Sequence, residues 1–366
     1  MSAVVADVDR PAVTAAGGAR YDALIAGLCL VFQGGAYLDV WAHVHRPELE
    51  TFFTPWHAVL YSGFFAVAAA TAAPLVLRHR GRGTSPTSWS SALPAGYDWS
   101  LIGVLVFFLG GVLDMLWHVV FGIEADVEAL LSPSHLVLAV GSTLILTGPL
   151  RAAWRRVDRT ASWPAVLSLG FLLSAFSFWT QYAHHFGRPW PAAGNRPTAA
   201  VFAAVAPDPL FRNTAIQNLY VAHALGVAGI LIQAVFISAI VLLALRRWGP
   251  RLPFGALAVI FALNGSMVAA SRDQLSLVPG AVLAGLLADI LVRRLQPSTE
   301  RTGRLRAVAF AIPATYFAFY FLGIAVTRGV WWSTPLWSGT IVLSGAVGWL
   351  ASWLVVLPTI PGETRR

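Results

Sequence analysis

The chain has 366 residues, of which 57% are hydrophobic and only 11% are charged. This composition excludes an ordinary soluble domain, in which about a quarter of the residues are charged, and predicts an all-α polytopic membrane protein. Every basic residue is an arginine, and the formal net charge is +8. No basic stripe with interleaved aromatic residues accompanies that charge, so no nucleic-acid partner is expected.

Apolar runs long enough to cross a bilayer predict about ten transmembrane helices. They begin near Ala23, Phe52, Trp99, Pro133, Trp163, Thr214, Phe254, Leu275, Leu305 and Val330. The runs near Phe254 and Leu275 are short and are interrupted by "ASRDQ". We therefore divide the chain into an N-terminal tail (1–21), a four-helix region (22–152), six further transmembrane helices (153–357) and a C-terminal tail (358–366).

The arginines are distributed unequally between the two sides of these helices. With a cytoplasmic N-terminus and ten helices, 19 of the 25 arginines fall on one side and six on the other. Cytoplasmic loops carry the excess of arginine, so both termini are predicted to be cytoplasmic in a multi-pass protein of the plasma membrane. The first apolar run has no obvious small-residue cleavage site, and a removable signal peptide is not expected.

The first four helices contain an internal repeat of ionisable residues. "GGAYLDVWAHVHRPELETFFTPWH" from Gly34 matches "GGVLDMLWHVVFGIEADVEALLSPSH" from Gly110. Each segment has Gly-Gly, an Asp, a His four residues later, a Glu, and Thr-Pro-x-His or Ser-Pro-x-His. The paired positions are Asp39 with Asp114, His43 with His118, Glu50 with Glu128, Thr54 with Ser132, Pro55 with Pro133, and His57 with His135. Ionisable groups are costly in lipid, so this repeated cluster predicts a functional site.

The spacing of the repeat indicates how each cluster is built. Residues four apart lie on one face of a helix, so Asp39 and His43 can hold the same ion. The hydroxyl residue and proline that follow are typical of a helix start, which brings His57 one turn inside the return helix. Each hairpin thus offers one carboxylate and two imidazoles, a donor set suited to copper, iron or zinc. The predicted metal ligands are Asp39, His43, His57, Asp114, His118 and His135.

Further ionisable residues are secondary candidates at the same membrane face. They are Glu50, Glu128, His184, His185 and His223. Gln181 and His185 repeat the spacing of four, with Gln in place of Asp. For His184 and His223, packing through an interhelical hydrogen bond is an equally good reading, and the two glutamates also fit solvated loop acids. Aromatic residues could wall an apolar pocket here: Trp41, Trp56, Trp117, Phe121, Trp179 and Tyr182.

The two segments resemble the copper-site segment of the C subunit of particulate methane and ammonia monooxygenases. The resemblance rests on "DVWAH" with "ELETFFTPWH", and on "DMLWH" with "EADVEALLSPSH", and covers roughly residues 34–141. It implies two copper sites, one on Asp39, His43 and His57 and one on Asp114, His118 and His135. The present chain has Asp in both repeats, where the family has Asn in one.

By resemblance, we expect an oxygen-dependent monooxygenase or oxidase that acts on a small or lipophilic substrate at the extracytoplasmic face. Its partners would be membrane lipids, the substrate, O2 and possible other membrane subunits. The alternative is a transporter of metal ions or protons that uses the same Asp and His clusters, since repeats and Asp/His relays are common in transporters. Asp289, Arg272 and Asp273 would then contribute to its polar path. A non-catalytic subunit with a structural metal is a third possibility.

Overall fold

The fold is a bundle of helices. The computed structural model describes residues 18–46, 54–81, 93–122, 127–157, 160–197 and 209–356. Across these ranges the only β-structure is a single antiparallel bridge between Ala192 and Val330. The helices are α1 (Ala19–His45), α2 (Pro55–Gly81), α3 (Asp98–Phe121), α4 (Glu128–Leu131), α5 (Pro133–Leu146), α6 (Gly148–Arg155), α7 (Trp163–Trp179), α8 (Pro209–Trp248), α9 (Ala256–Ser271), α10 (Val278–Leu295), α11 (Thr302–Thr327) and α12 (Thr334–Val355).

The lengths and compositions of these helices confirm a polytopic all-α membrane protein. In the described ranges, seven helices are long and apolar enough to cross a membrane, and α5 with α6 forms an eighth candidate that is bent by 41°. The α7 and α9 helices are apolar but have only 17 and 16 residues. Ten spans therefore stays a prediction.

All ten predicted apolar runs coincide with helices, and the two short helices also run between the two ends of the bundle. Just beyond the C-terminus of α7, Gln181 accepts a hydrogen bond of 2.8 Å from Arg272, just beyond the C-terminus of α9. At the opposite end, the buried Asp289 carboxylate accepts hydrogen bonds from the backbone N–H groups of Leu257 and Ala258. An acidic group at a helix N-terminus is favourable, so Asp289 stabilises the start of α9.

The two N-terminal hairpins, α1 with α2 and α3 with α5, are each closed by glycines that let the helices touch. A Cβ atom at Gly35 would lie 2.8 Å from the Cα of Leu60, and one at Gly63 would lie 2.7 Å from the Cα of Phe32. Real Cβ atoms are not found at such distances. Only glycine at these two positions therefore lets α1 and α2 approach each other so closely. This close crossing fixes the register of the first hairpin.

The second hairpin repeats these contacts at equivalent positions. A Cβ atom at Gly110 would meet Leu138 at 3.0–3.2 Å, and one at Gly141 would lie 2.7 Å from the Cα of Phe107. The spacing that pairs Asp39 with Asp114 also pairs Gly35 with Gly110 and Phe32 with Phe107. The rings of Phe32 and Phe107 touch at 4.9 Å, in an edge-to-face arrangement. Equivalent residues in contact indicate that the hairpins are related by a rotation about an axis near these rings.

Candidate metal centres

The first metal-binding group is formed by Asp39, His43 and His57, named here the Asp39 triad. Asp39 and His43 lie one turn apart at the end of α1, and His57 lies in the first turn of α2. The Oδ2 atom of Asp39 is 3.6 Å from Nε2 of His43 and 3.5 Å from Nε2 of His57. The three side chains therefore present one carboxylate oxygen and two ring nitrogens to one point.

The second group is formed by Asp114, His118 and His135, named here the Asp114 triad. Its geometry repeats that of the first on α3 and α5. Nε2 of His118 lies 3.5 Å from Oδ2 of Asp114, and Nε2 of His135 lies 3.3 Å from Oδ1. The six predicted ligands thus come together as two groups of three, one in each hairpin.

Hydroxyl residues at the start of the return helices fix the second histidine of each triad. Thr54 caps α2, because its Oγ1 accepts the backbone N–H of His57 at 3.1 Å, and the same oxygen lies 3.1 Å from Nδ1 of His57. Ser132 makes the equivalent contact of 2.7 Å to Nδ1 of His135. A hydrogen bond to the second ring nitrogen is the usual way in which proteins orient a metal-binding imidazole.

The hydrogen bond of His118 determines which of its ring nitrogens presents a lone pair to Asp114. Nδ1 of His118 lies 3.2 Å from the carbonyl oxygen of Gly122. That oxygen can only accept, so Nδ1 carries the hydrogen, and in the neutral ring Nε2 presents its lone pair to Asp114. A lone pair and a carboxylate face each other favourably only with a cation between them. A metal ion or a proton therefore suits this position.

The distances favour a metal ion over direct hydrogen bonds. Nitrogen and oxygen ligands about 2.0–2.1 Å from a tetrahedral ion lie about 3.3 Å apart. The four N···O separations of 3.3–3.6 Å match that spacing, and they exceed the roughly 2.7–2.9 Å of charge-assisted hydrogen bonds. Three protein ligands leave a further position open, as in catalytic metal sites. The donor set and its geometry therefore fit a metal in each triad.

The two triads are not identical in their surroundings. Ser134 donates a hydrogen bond of 2.9 Å to Oδ1 of Asp114. Trp56 occupies the equivalent position in the first repeat, and the buried Oδ1 of Asp39 has no hydrogen-bond partner among the described residues. The His43 side chain is 39% exposed, against 12% for His118. The Asp114 triad is consequently the more enclosed and the better oriented of the two.

Both triads line one cavity of about 790 Å³. Such a volume is typical of sites for small organic ligands. The cavity continues from the triads to an inner end of mostly apolar side chains, which include Phe32, Phe107, Leu138, Leu146 and Ala175. Trp179, Gln181 and Arg272, which lie outside the two hairpins, also line it. Metal ions in the triads would therefore face a shared, largely apolar space.

The secondary candidates lie elsewhere or outside the described residues. Glu50 lies outside the described ranges, and Glu128 is exposed at the start of α4 and belongs to neither triad. His184 and His185 are buried, with rings stacked at 4.3 Å. The ring of His223 stacks on Trp331 at 4.8 Å. None of these three histidines lines the cavity within the part of the chain that is described.

The expected spacing of Gln181 and His185 does not place them on one helical face. The α7 helix ends at Trp179, and Gln181 starts a separate 3₁₀ turn. Gln181 then turns to the cavity, while His185 packs against Tyr316, Phe317 and Tyr320 of α11. Burial lowers the pKa of the neighbouring His184 to about 3, so its ring is neutral at physiological pH.

Three features of the two hairpins were missed by the sequence reasoning. Ser134 lies within the quoted repeat, but its role was not recognised because Trp56 stands at the equivalent position of the first repeat. The aromatic and glycine pairs, Phe32 with Phe107 and Gly63 with Gly141, follow the same spacing as the ligands and would have been found by extending the repeat inward. Of the six predicted wall aromatics, Trp179 alone lines the cavity in the described ranges.

No protein-family model, curated protein or solved structure matches this chain.

Proposed function

We propose that this protein is an integral-membrane copper protein that catalyses oxygen-dependent oxidation of a small or lipophilic substrate. The proposal rests on one observation. Two Asp-His-His triads, in each of which the carboxylate lies 3.3–3.6 Å from both ring nitrogens, line the same largely apolar cavity. Metal-holding groups beside a space for an organic molecule are what such an oxidation needs.

Copper is the metal that we propose for both triads. Sites of nitrogen and oxygen donors bind copper more strongly than the other divalent first-row metals. The resemblance of the two segments to the copper-site segment of particulate monooxygenases supports the same choice. Iron and zinc are the alternatives, because imidazole and carboxylate also suit them.

The residues of each triad have separate tasks in the proposed reaction. Copper, when bound, would supply the binding of O2 and the transfer of electrons. Asp39 and Asp114 balance the positive charge of the ion, and Thr54 and Ser132 hold the rings of His57 and His135 in their binding orientation. The apolar inner wall excludes water from the substrate.

The balance of a monooxygenase reaction sets what else must be present. One oxygen atom of O2 enters a C–H bond of the substrate to form a hydroxyl group, and the other leaves as water. Two electrons and two protons from an external reductant complete the reaction. Other membrane subunits are proposed as partners because the reductant must reach the triads from outside this chain.

The proposed topology places the triads at the extracytoplasmic face of the plasma membrane. If α7 and α9 are counted among ten spans, six arginines fall on the side of the triads and 19 on the opposite side. Both termini are then cytoplasmic, as the positive-inside rule favours. Exposed apolar side chains such as Leu105, Val119 and Phe65 suit contact with membrane lipids.

The alternative of a metal-ion or proton transporter is less well supported. A transport path should continue in charged or titratable groups to the opposite end, whereas the inner end of the cavity is lined by Phe32, Phe107 and Leu146 and by the uncharged Gln33 and Ser142. Asp289, which would have extended that path, instead binds the backbone of α9. The described residues thus fit a closed site better than a channel through the bundle.

Metal analysis of the purified protein tests the proposal. Elemental analysis and electron paramagnetic resonance should give two copper ions per chain in the wild type, after supplementation with copper, iron and zinc. The His57→Ala, His135→Ala double variant should lose both. His45→Ala is the matched control, because His45 lies on α1 beside the triad but contacts Asp273, and it should retain both ions.

Absence of metal from the wild type, or full copper content in the double variant, would refute the assignment. With copper established, O2 consumption that depends on an added lipophilic substrate and a reductant should disappear in the double variant and persist in His45→Ala. Metal binding without any such O2 consumption would contradict the oxidase part of the proposal.

A further inference from the structure

The inner end of the cavity contains two polar groups among apolar walls. Gln33 of α1 and Ser142 of α5 both line the cavity, and both are more than nine-tenths buried. Gln33 is six positions from Asp39 along α1, or about 9 Å at 1.5 Å per residue. Ser142 is seven positions from His135 along α5, or about 10 Å. The two groups therefore lie at nearly the same depth, well inside the triads.

The hydrogen bonds of Gln33 leave its carbonyl oxygen unused. Its Nε2 donates to the backbone carbonyl of Phe171 on α7 at 3.1 Å, which fixes the orientation of the amide. Its Oε1 is buried and has no hydrogen-bond partner among the described residues. An unpaired acceptor of this kind is costly in an apolar environment. A donor that enters the cavity would remove that cost.

Ser142 offers the same type of group. Its hydroxyl donates to the carbonyl of Ala139 at 3.0 Å, so the oxygen can only accept further hydrogen bonds. A purely apolar ligand would leave Oε1 of Gln33 without a partner and the acceptor capacity of the Ser142 hydroxyl unused. A ligand with a hydroxyl or N–H group at one end would satisfy at least one of them.

We propose that the cavity takes an elongated amphiphile, with an apolar body and a terminal hydroxyl or N–H group that binds at Gln33 and Ser142. The end of the ligand remote from this group would then lie at the triads. The inference deepens the proposed function, since it gives the substrate class of the same cavity. It excludes simple hydrocarbons as the preferred ligands.

Displacement of a fluorescence quencher tests this inference in protein that has been stripped of metal with a chelator. The probe is 8-bromo-1-octanol, whose bromine quenches tryptophan fluorescence. Trp179 lines the cavity, so the saturable part of the quenching should disappear in Trp179→Phe. The competitors are 1-octanol and n-octane, and 1-octanol should displace the probe at the lower concentration.

The Gln33→Leu variant should weaken displacement by 1-octanol by about two- to tenfold, the equivalent of one hydrogen bond. Displacement by n-octane should be unchanged. Ser142→Ala should act in the same direction and leaves the contact with α7 intact. Tyr37→Phe is the matched control, because Tyr37 also bonds α1 to α7, through the carbonyl of Ser174, without lining the cavity. It should keep the full preference for 1-octanol.

Equal displacement by 1-octanol and n-octane in the wild type would overturn the inference. So would a preference for 1-octanol that persists in the Gln33→Leu, Ser142→Ala double variant. Because the measurement uses metal-free protein, its outcome does not depend on copper. Conversely, failure of the alcohol preference would not alter the copper content expected of the triads, and the two proposals can fail separately.

Discussion

Replacement of Ser134 by alanine should weaken metal binding at the Asp114 triad alone. Ser134 donates a hydrogen bond of 2.9 Å to Oδ1 of Asp114, and that carboxylate is only 3% exposed. Without the hydroxyl, the carboxylate must be held by the histidines alone and is free to rotate away from the position that meets both rings. Loss of such an orienting contact typically lowers metal affinity by about 10- to 100-fold.

The assay is a copper titration against a competing chelator in single-triad backgrounds. In a His57→Ala background only the Asp114 triad remains, and Ser134→Ala should shift its affinity by the stated factor. In a His135→Ala background only the Asp39 triad remains, and the same substitution should change the affinity less than twofold. An unchanged affinity in the first background, or an equal loss in both, would refute the idea that Ser134 orients Asp114.

Three further substitutions and conditions give separate tests of the structure. Gly35→Ala should lower the free energy of unfolding by about 1–3 kcal/mol through overpacking, because its Cβ would lie 2.8 Å from the Cα of Leu60. A lower midpoint of thermal unfolding in detergent would show this. Gly27→Ala, where nothing lies within 4 Å, should not lower the midpoint. Asp289→Ala should cost about 1–3 kcal/mol in the free energy of unfolding and leave copper content unchanged, whereas loss of metal uptake into vesicles with unchanged stability would favour a transporter. The pKa of His184 is lowered to about 3, so between pH 6.5 and pH 3 the unfolded chain binds more protons than the native one. The free energy of unfolding should therefore fall as the pH is lowered from about 6.5 towards 3. A His184→Phe variant that shows the same acid sensitivity as the wild type would contradict this.

Much of the candidate site could be predicted because its ligands follow helical spacing. The i, i+4 pairs Asp39 with His43 and Asp114 with His118 lie on continuous helices, where spacing determines the face. The same rule was wrong for Gln181 and His185, because α7 ends before them at Trp179. Helix ends are set by local packing and capping, which the apolar pattern alone does not specify.

The cavity could not be predicted because it depends on contacts between helices that are distant in the chain. Gln33 reaches the carbonyl of Phe171, 138 positions away, and Gln181 accepts from Arg272, 91 positions away. Local periodicity says nothing about such pairs. The sequence repeat predicted two similar hairpins and left open whether their sites are separate.

The contact between Phe32 and Phe107 explains why the two triads open into the same space. These rings lie seven positions before Asp39 and Asp114 respectively, about two helical turns, and so lie on nearly the same face of their helices as the carboxylates. A rotation that brings the two rings together also turns both carboxylates towards the region between the hairpins. A one-residue insertion between Phe107 and Asp114 would rotate Asp114 by about 100° around α3 and remove it from the cavity. Copper at the Asp114 triad should then be lost while copper at the Asp39 triad remains, and loss of both ions would show that the triads depend on each other and do not act as independent sites.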